Sequence, residues 1–286
     1  MKKIINPLKK AASNGNVCAQ YFLGVCLALG VNLRRNQKSA FARFRQAAIK
    51  GHVEAQFEVA NRLERGIGAG RDASQALIWY KRAAARGIVE AQYNVGVHYE
   101  AGNGVRRNIQ LAAKWYRQAA EQGDSDAQFR LAFLLAKAGK RKLAEKWYFK
   151  AAKNGLVDAQ FNLALLYENS RRRAERKKAL HWYRRAAERN DGASATNLGI
   201  AYAQGRITTR NLTLATSWFR RAAAMGDAKG LFNLGQCYEN GEGVREDKSR
   251  AFECYLFAAG KGNTSARHRL GRNRLIKGAL RAAGVR

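Results

Sequence analysis

The sequence predicts an all-α fold, a solenoid of about seven helix-loop-helix repeats. Three observations carry this prediction. A short signature returns along the chain at near-constant spacing. Apolar residues return with the period of a helix. Pro7 is the one proline in 286 residues, so nothing beyond it interrupts a helix.

The signature is first met as Ala19-Gln-Tyr-Phe-Leu-Gly. It returns at Ala55, Ala91, Ala127 and Ala159, and in weaker form at Ser194, Gly230 and Ala266, with spacings of 36, 36, 36, 32, 35, 36 and 36 residues. These starts divide the chain into repeats 19–54, 55–90, 91–126, 127–158, 159–193, 194–229 and 230–265. A partial unit, 4–18, precedes them; Pro7–Asn14 reads as the second helix of that unit. A capping helix and basic tail, 266–286, follow. The fourth repeat loses four residues between its helices, at 137–143.

The third repeat shows the elements in order. Ala91, Val95, Gly96 and Tyr99 share one face of a first helix. Glu90, like Glu54, Asp126 and Asp158, stands at a helix N-terminus, where the helix dipole favours an acid. The loop Ala101-Gly-Asn-Gly-Val105 supplies residues for left-handed backbone. Asn108 is placed to cap the second helix, as are Asn36, Asp72, Asn211 and Asp247 in their repeats. The second helix carries Ala112, Trp115, Tyr116, Ala119 and Ala120, and Gly123 ends it. One hairpin of this kind cannot bury both faces; stacked copies can.

These residues resemble the Sel-1-like repeat family, relatives of the tetratricopeptide repeats. The likeness rests on A-Q-Y-x-x-G, on the G-x-G-V loops at Gly102–Val105 and Gly241–Val244, and on W-Y-x-x-A-A-x-x-G at Trp79, Trp115 and Trp147. It covers residues 4–278. The resemblance implies a right-handed superhelix whose first helices line the concave side. It also implies a bacterial protein-interaction scaffold or adaptor with no shared catalytic set. Two family features are missing: an export signal, and a regular cysteine pair in each repeat.

On that concave side the fourth position of the first helices carries Asn94, Arg130, Asn162, Asn197 and Asn233. An amide both donates and accepts, so such a row suits the backbone of an extended peptide. The competing reading is an amide ladder that satisfies the protein's own helix ends. Arg130 suits a carboxylate. Arg62 and His98, further along their helices, are expected to extend the surface.

Charge points the same way. Hydrophobic residues make up 47% of the chain and aromatic ones 10%, which excludes a disordered basic protein. Yet 53 Lys+Arg against 21 Asp+Glu give a net charge of +32, which attracts anionic partners. Residues 127–229 hold 22 basic and 7 acidic residues, whereas 55–126 hold 10 and 8. A basic ridge follows the tryptophans of the second helices: Arg45, Lys81-Arg82, Arg117, Lys150, Arg184-Arg185 and Arg220-Arg221. It reads as a track for an acidic protein or for phosphates, or as a solvated face. The run Arg171–Lys178 is expected in the inter-helix loop of the fifth repeat. Trp79, Trp115, Trp147, Trp182 and Trp218 share one repeat position and read as inter-repeat packing, with a stacking ladder for bases as the alternative.

The function so predicted is an adaptor that binds an acidic protein or peptide, with room for a regulatory or inhibitory role. The alternative is an electrostatic nucleic-acid-binding solenoid. No enzyme, metal or cofactor is expected. The sequence holds no nucleophile elbow and no phosphate-loop Gly-Lys-Ser/Thr. None of His52, His98, His181 and His268 has a second histidine four residues on or an evident acid partner. The four cysteines read as reduced and mostly buried, with a Cys237–Cys254 disulfide as the alternative. Leu256 and Phe257 replace the basic pair of the seventh repeat, and read as packing under the last helix or as an apolar docking patch. The basic start, MKKIIN, is not followed by the apolar run of a signal peptide, so a cytoplasmic location without membrane insertion is expected, with secretion as an effector the alternative.

Overall fold

A computed structural model describes residues 2–271 as helices and turns, with no strand among them. The chain falls into two compact units, 1–147 and 148–286, with the division inside one helix. The first unit contains α1 (Lys2–Ser13), α2 (Val17–Leu29), α3 (Gln37–Ile49), α4 (Val53–Arg65), α5 (Ala73–Ala85), α6 (Val89–Ala101), α7 (Ile109–Glu121) and α8 (Ser125–Lys137). The helix α9 (Arg141–Lys153) carries the division. The second unit continues with α10 (Val157–Glu168), α11 (Arg173–Glu188), α12 (Gly192–Gln204), α13 (Leu212–Ala224), α14 (Ala228–Asn240), α15 (Lys248–Gly260) and α16 (Thr264–Gly271). Within each unit, helices pack on their sequence neighbours. From α2 on, even-numbered helices are the first helices of repeats and odd-numbered ones the second.

The expected caps are in place. Asn36, Asp72, Asn108, Asn211 and Asp247 each accept a hydrogen bond from the backbone N–H three residues on. First helices have caps of their own in Asn16, Asp124, Asp191, Asp227 and Asn263. Second helices end on a left-handed residue, usually glycine; in the fifth repeat Asn190 takes this backbone at φ 66°.

The Ala-Gln signature has a clear physical reason. The side-chain amides of Gln20, Gln56, Gln92, Gln128 and Gln160 donate to the carbonyls of Ala12, Ala48, Ala84, Ala120 and Ala152 at 3.1–3.3 Å. Each carbonyl lies in the last turn of the preceding second helix and also accepts from the N–H of the left-handed glycine three residues on, so the amide takes its second lone pair. The sixth repeat has Ala195 in the glutamine position. There Arg221 reaches back to the Ala187 carbonyl at 3.0 Å. At the end of the array Arg267 does the same for Ala259.

Alanine lets the two helices of a hairpin come close, and one aromatic residue per second helix fills the space left. Phe44, Tyr80, Tyr116, Tyr148, Tyr183, Phe219 and Tyr255 are all buried. Some rings lie so near the first helix that only glycine fits beneath them. A Cβ on Gly96 would come within 2.6 Å of the Tyr116 ring, and one on Gly199 within 2.4 Å of Phe219.

Two local expectations are corrected. The run Arg171–Lys178 is not a loop. Only residues 169–172 separate α10 from α11, so the helix takes in Arg173–Lys178. Arg, Ala, Glu and Lys are good helix formers, and Ser170 starts the helix by accepting from the Arg172 N–H and donating to Glu175. The leading helix begins at Lys2 rather than at Pro7, which lies inside it. The ring gives up one early backbone bond, and Ile5 anchors the added turn as a buried residue. The shortening of the fourth repeat is where the sequence places it: residues 138–140 replace a connection that is seven residues long, 102–108, in the third.

Gly96→Ala is expected to destabilise the first unit by roughly 1–3 kcal/mol through overpacking against Tyr116, read by chemical denaturation.

Candidate interaction surface

The fourth position of each first helix faces the aromatic residue of the repeat before it. The Tyr80, Tyr116, Tyr183 and Tyr255 hydroxyls donate to Glu64, Glu100, Glu168 and Glu239 at 2.6–2.7 Å. Each acid lies near the end of the first helix of the same repeat. Burial, with the carboxylate beside it, pushes all four phenols far above the usual tyrosine range. Burial pushes Tyr148 up to about 12.

The following repeat adds a polar neighbour. Asn94 beside the Tyr80 hydroxyl, and Asn197 beside that of Tyr183, temper the rise. Arg130 bonds Tyr93 and lies in the field of Glu100 and Tyr116; these raise its pKa against the effect of partial burial. Arg269 closes the series with a 2.6 Å contact to Glu239. Asn162 instead donates to the Asp158 carbonyl of its own helix at 2.8 Å. Asn233 has the odd position. Its register sets it against Phe219, which has no hydroxyl, and its Nδ2 is buried without a hydrogen-bond partner. Asn94, Asn162, Asn197 and Asn233 are all half-buried. Much of this row is therefore engaged within the protein.

Arg62 and His98 are corrected outright. They are 9% and 1% exposed and do not extend a surface. Arg62 donates to Gln37 at 2.8 Å, lies over the Phe44 ring at 4.7 Å and faces Glu58 at 3.6 Å. His98 does have an acid partner: its Nε2 lies 3.3 Å from Glu64, close enough for ion pairing but not aligned as a hydrogen bond. Its Nδ1 lies 2.8 Å from the Asn103 carbonyl and donates to it. Burial opposes charging of His98, but Glu64 and the Asn103 carbonyl outweigh it and raise its pKa. The His98 contact, followed by the Tyr80 bond, holds Glu64 below the usual carboxylate range against its own burial. His52 also has an acid nearby, Glu54 at 3.1 Å. Sequence alone hides the His98 pair because Glu64 comes from the repeat before it.

The second-helix ridge is the more open surface. Arg45, Arg82, Arg117, Lys150, Arg184, Arg185 and Arg220 are exposed. Lys81 and Arg221 are half-buried. Arg82, Arg185 and Arg221 lie over the tryptophan rings of their own helices at 4.5, 5.9 and 5.3 Å. Trp79, Trp147 and Trp182 are buried, whereas Trp115 and Trp218 are half-buried.

The fold so described matches a known pattern seven times. The Sel1 repeat model fits residues 19–52, 53–88, 89–124, 125–156, 157–191, 192–227 and 228–263. The chain belongs to the Sel1 repeat family. Among solved structures, this Sel1 repeat chain is similar to a protective antigen of uropathogenic Escherichia coli strains that displays the same fold. The two are 32% identical, with a TM-score of 0.75 over 92% of this chain and 59% of the antigen. This chain thus spans less than two thirds of the antigen's length. It is also similar to a Sel1 repeat protein from Oxalobacter formigenes, at 29% identity and a TM-score of 0.75 over 94% of this chain and 79% of that one. No curated protein sequence matches it. Sel1 repeat proteins act as interaction scaffolds for other proteins, and the fold is typically non-catalytic.

The remaining expectations concern smaller features. The four cysteines are free thiols, and only Cys237 is buried; Cys18 is exposed, and Cys26 and Cys254 are half-buried. Leu256 and Phe257 are exposed, Phe257 by 64%. Most of the basic tail, 272–286, lies outside the described residues. No described helix is long and apolar enough to cross a membrane.

The His98–Glu64 pair sets a pH dependence. A raised histidine pKa adds stability that is complete below the ordinary value of about 6.5 and is lost as pH rises through the raised one. The lowered Glu64 pKa adds stability that is lost only in acid. The melting temperature is expected to fall as pH rises above about 6.5, and to fall less in His98→Gln. That variant loses roughly 1–3 kcal/mol at pH 6; parallel pH profiles would contradict the pairing.

Proposed function

We propose that this Sel1 repeat chain is a non-catalytic scaffold for an acidic protein partner, and that in its second unit the partner lies against the basic residues of α11 and α13. One observation carries this reading. Arg184, Arg185 and Arg220 are exposed, and none of them is ion-paired to a carboxylate among the described residues. The nearby tryptophans are tied into packing, and the asparagines of α12 and α14 face the protein itself. This leaves the guanidinium groups as the donors that a partner can reach. Arg184 has a single long contact, 3.3 Å to the Tyr202 hydroxyl, which a carboxylate can displace.

The mechanism is steering followed by docking on a preformed surface. Exposed like charges raise the encounter rate with an acidic surface and make it sensitive to salt. Because helices present these groups, little ordering accompanies binding.

The triple variant Arg184→Glu, Arg185→Glu and Arg220→Glu tests this in affinity capture from native lysate, with and without nuclease. The expected result is the loss of nuclease-resistant acidic proteins that the parent retains, with no change in unfolding free energy beyond about 1 kcal/mol. Asn162→Ala is expected to retain them. Capture that disappears with nuclease would move the ridge to nucleic acid.

A further inference from the structure

The shortened fourth repeat opens a cavity that the regular repeats close with their own backbone. In a regular repeat the inter-helix loop folds onto the start of the second helix one repeat earlier. A Cβ on Gly68 would lie 2.2 Å from the Gln37 carbonyl oxygen, and one on Gly104 within 2.6 Å of Ala73 and Ser74. In the second unit, Gly243 meets Leu212 in the same way. The fourth repeat keeps only residues 138–140 there. Its glycine, Gly139, has nothing within 4 Å of where a Cβ would stand. The first turn of α7 is the stretch that this loop would have covered.

The uncovered place is a cavity of about 440 Å³, within the range of roughly 300–1,000 Å³ of sites that enclose ligand groups. Its apolar wall is Ile109, Ala113, Leu134, Leu135 and Ala138. Lys114, Arg117 and Lys140 also line it. All three cations are exposed, and none is ion-paired among the described residues. No acidic residue lines the cavity.

We infer that this cavity receives a large apolar side chain from an extended acidic segment of a protein partner, with carboxylates of that segment against Lys114, Arg117 and Lys140. The fold supplies the precedent. A loop bent by a left-handed glycine fills this place in other repeats, and in the sixth repeat the loop position of the glycine is held by Ile207, buried at 5% exposure. The partner segment replaces the missing loop. The cations come from α7 and from the turn after α8, so charge is spread over separate elements. That spread matches carboxylates spaced along a chain better than one lipid headgroup. The inference rests on the scaffold reading but uses a different surface, in the first unit.

The probe is a fluorescein-labelled peptide with a Leu-Phe pair flanked by aspartates, followed by anisotropy and by amide chemical shifts. Binding is expected to shift amides of α7 and of residues 134–140. Ala113→Trp, which fills the cavity from an incompletely buried position, is expected to weaken binding roughly tenfold or more. Lys114→Glu with Lys140→Glu is expected to do the same. So is replacement of 138–140 by the seven-residue loop 102–108. The Arg184, Arg185 and Arg220 triple variant is expected to bind the probe normally, which separates this site from the second-unit part of the ridge. A peptide with serines in place of Leu-Phe is expected to bind at least about tenfold more weakly. Equal binding by that peptide, unchanged binding in Ala113→Trp, or no binding at all would overturn the inference. So would saturable binding of dodecanoate in place of the peptide, which would make the cavity a lipid site. Shifts confined to first-helix amides would overturn it too while leaving the scaffold reading intact.

Discussion

Each second helix ends with a carbonyl that accepts from the left-handed residue after the helix and keeps a second lone pair, and at most junctions the next hairpin supplies a donor to it. A glutamine amide does this from Gln20 to Gln160. The bond is short-range in sequence, eight residues, yet it joins separate hairpins. It fixes the rotation of one first helix against the preceding second helix. The aromatic side chain, the glycine or alanine beneath it and the acid that takes the phenol proton then fall into register. Where Ala195 replaces the glutamine, an arginine takes over the equivalent carbonyl, and where Leu231 replaces it the Ala223 carbonyl keeps its backbone donors.

That exchange sorts the positive charge. Arg221 and Arg267 hold helix ends, Arg62 and Arg269 face acids, and Arg82 and Arg185 cover tryptophan rings. A sequence count treats these as equal contributors to a net charge of +32. In the structure they divide into groups that are occupied and groups that face solvent alone. The second class, with Arg220, Lys114 and Lys140 in it, is where a partner gains most, because no internal contact has to break first.

The repeat, its length variation, the asparagine and aspartate caps and the glycine stops were all legible in the sequence, because each is set by residues within one or two turns. The tryptophans read correctly as periodic packing. Other features needed partners brought together by stacking. Arg62 and His98 look like surface residues on a helical wheel and are buried because another repeat covers them. The Arg171–Lys178 run reads as a loop from its place between two helices, yet charge does not exclude a helix and the run holds no breaker. The tyrosine–acid pairs did have a sequence signal: Tyr80, Tyr116 and Tyr255 each have a glutamate sixteen residues earlier, and Tyr183 has one fifteen earlier. Phe44 and Phe219, without a hydroxyl, have Ala28 and Ala203 there. The four-residue loss was visible too, but the cavity it leaves could not be read, since the loop's role lies in the repeat before it.

The tyrosine–acid pairs also say where one building block stops and another starts. The phenol and its carboxylate come from one hairpin, but the amide or guanidinium that completes the group comes from the hairpin after it. Cutting the chain between hairpins would strand half of each group. Cutting inside a loop, between a first helix and its second, keeps each phenol with the polar neighbour that follows it but parts it from its acid. No single cut preserves all three.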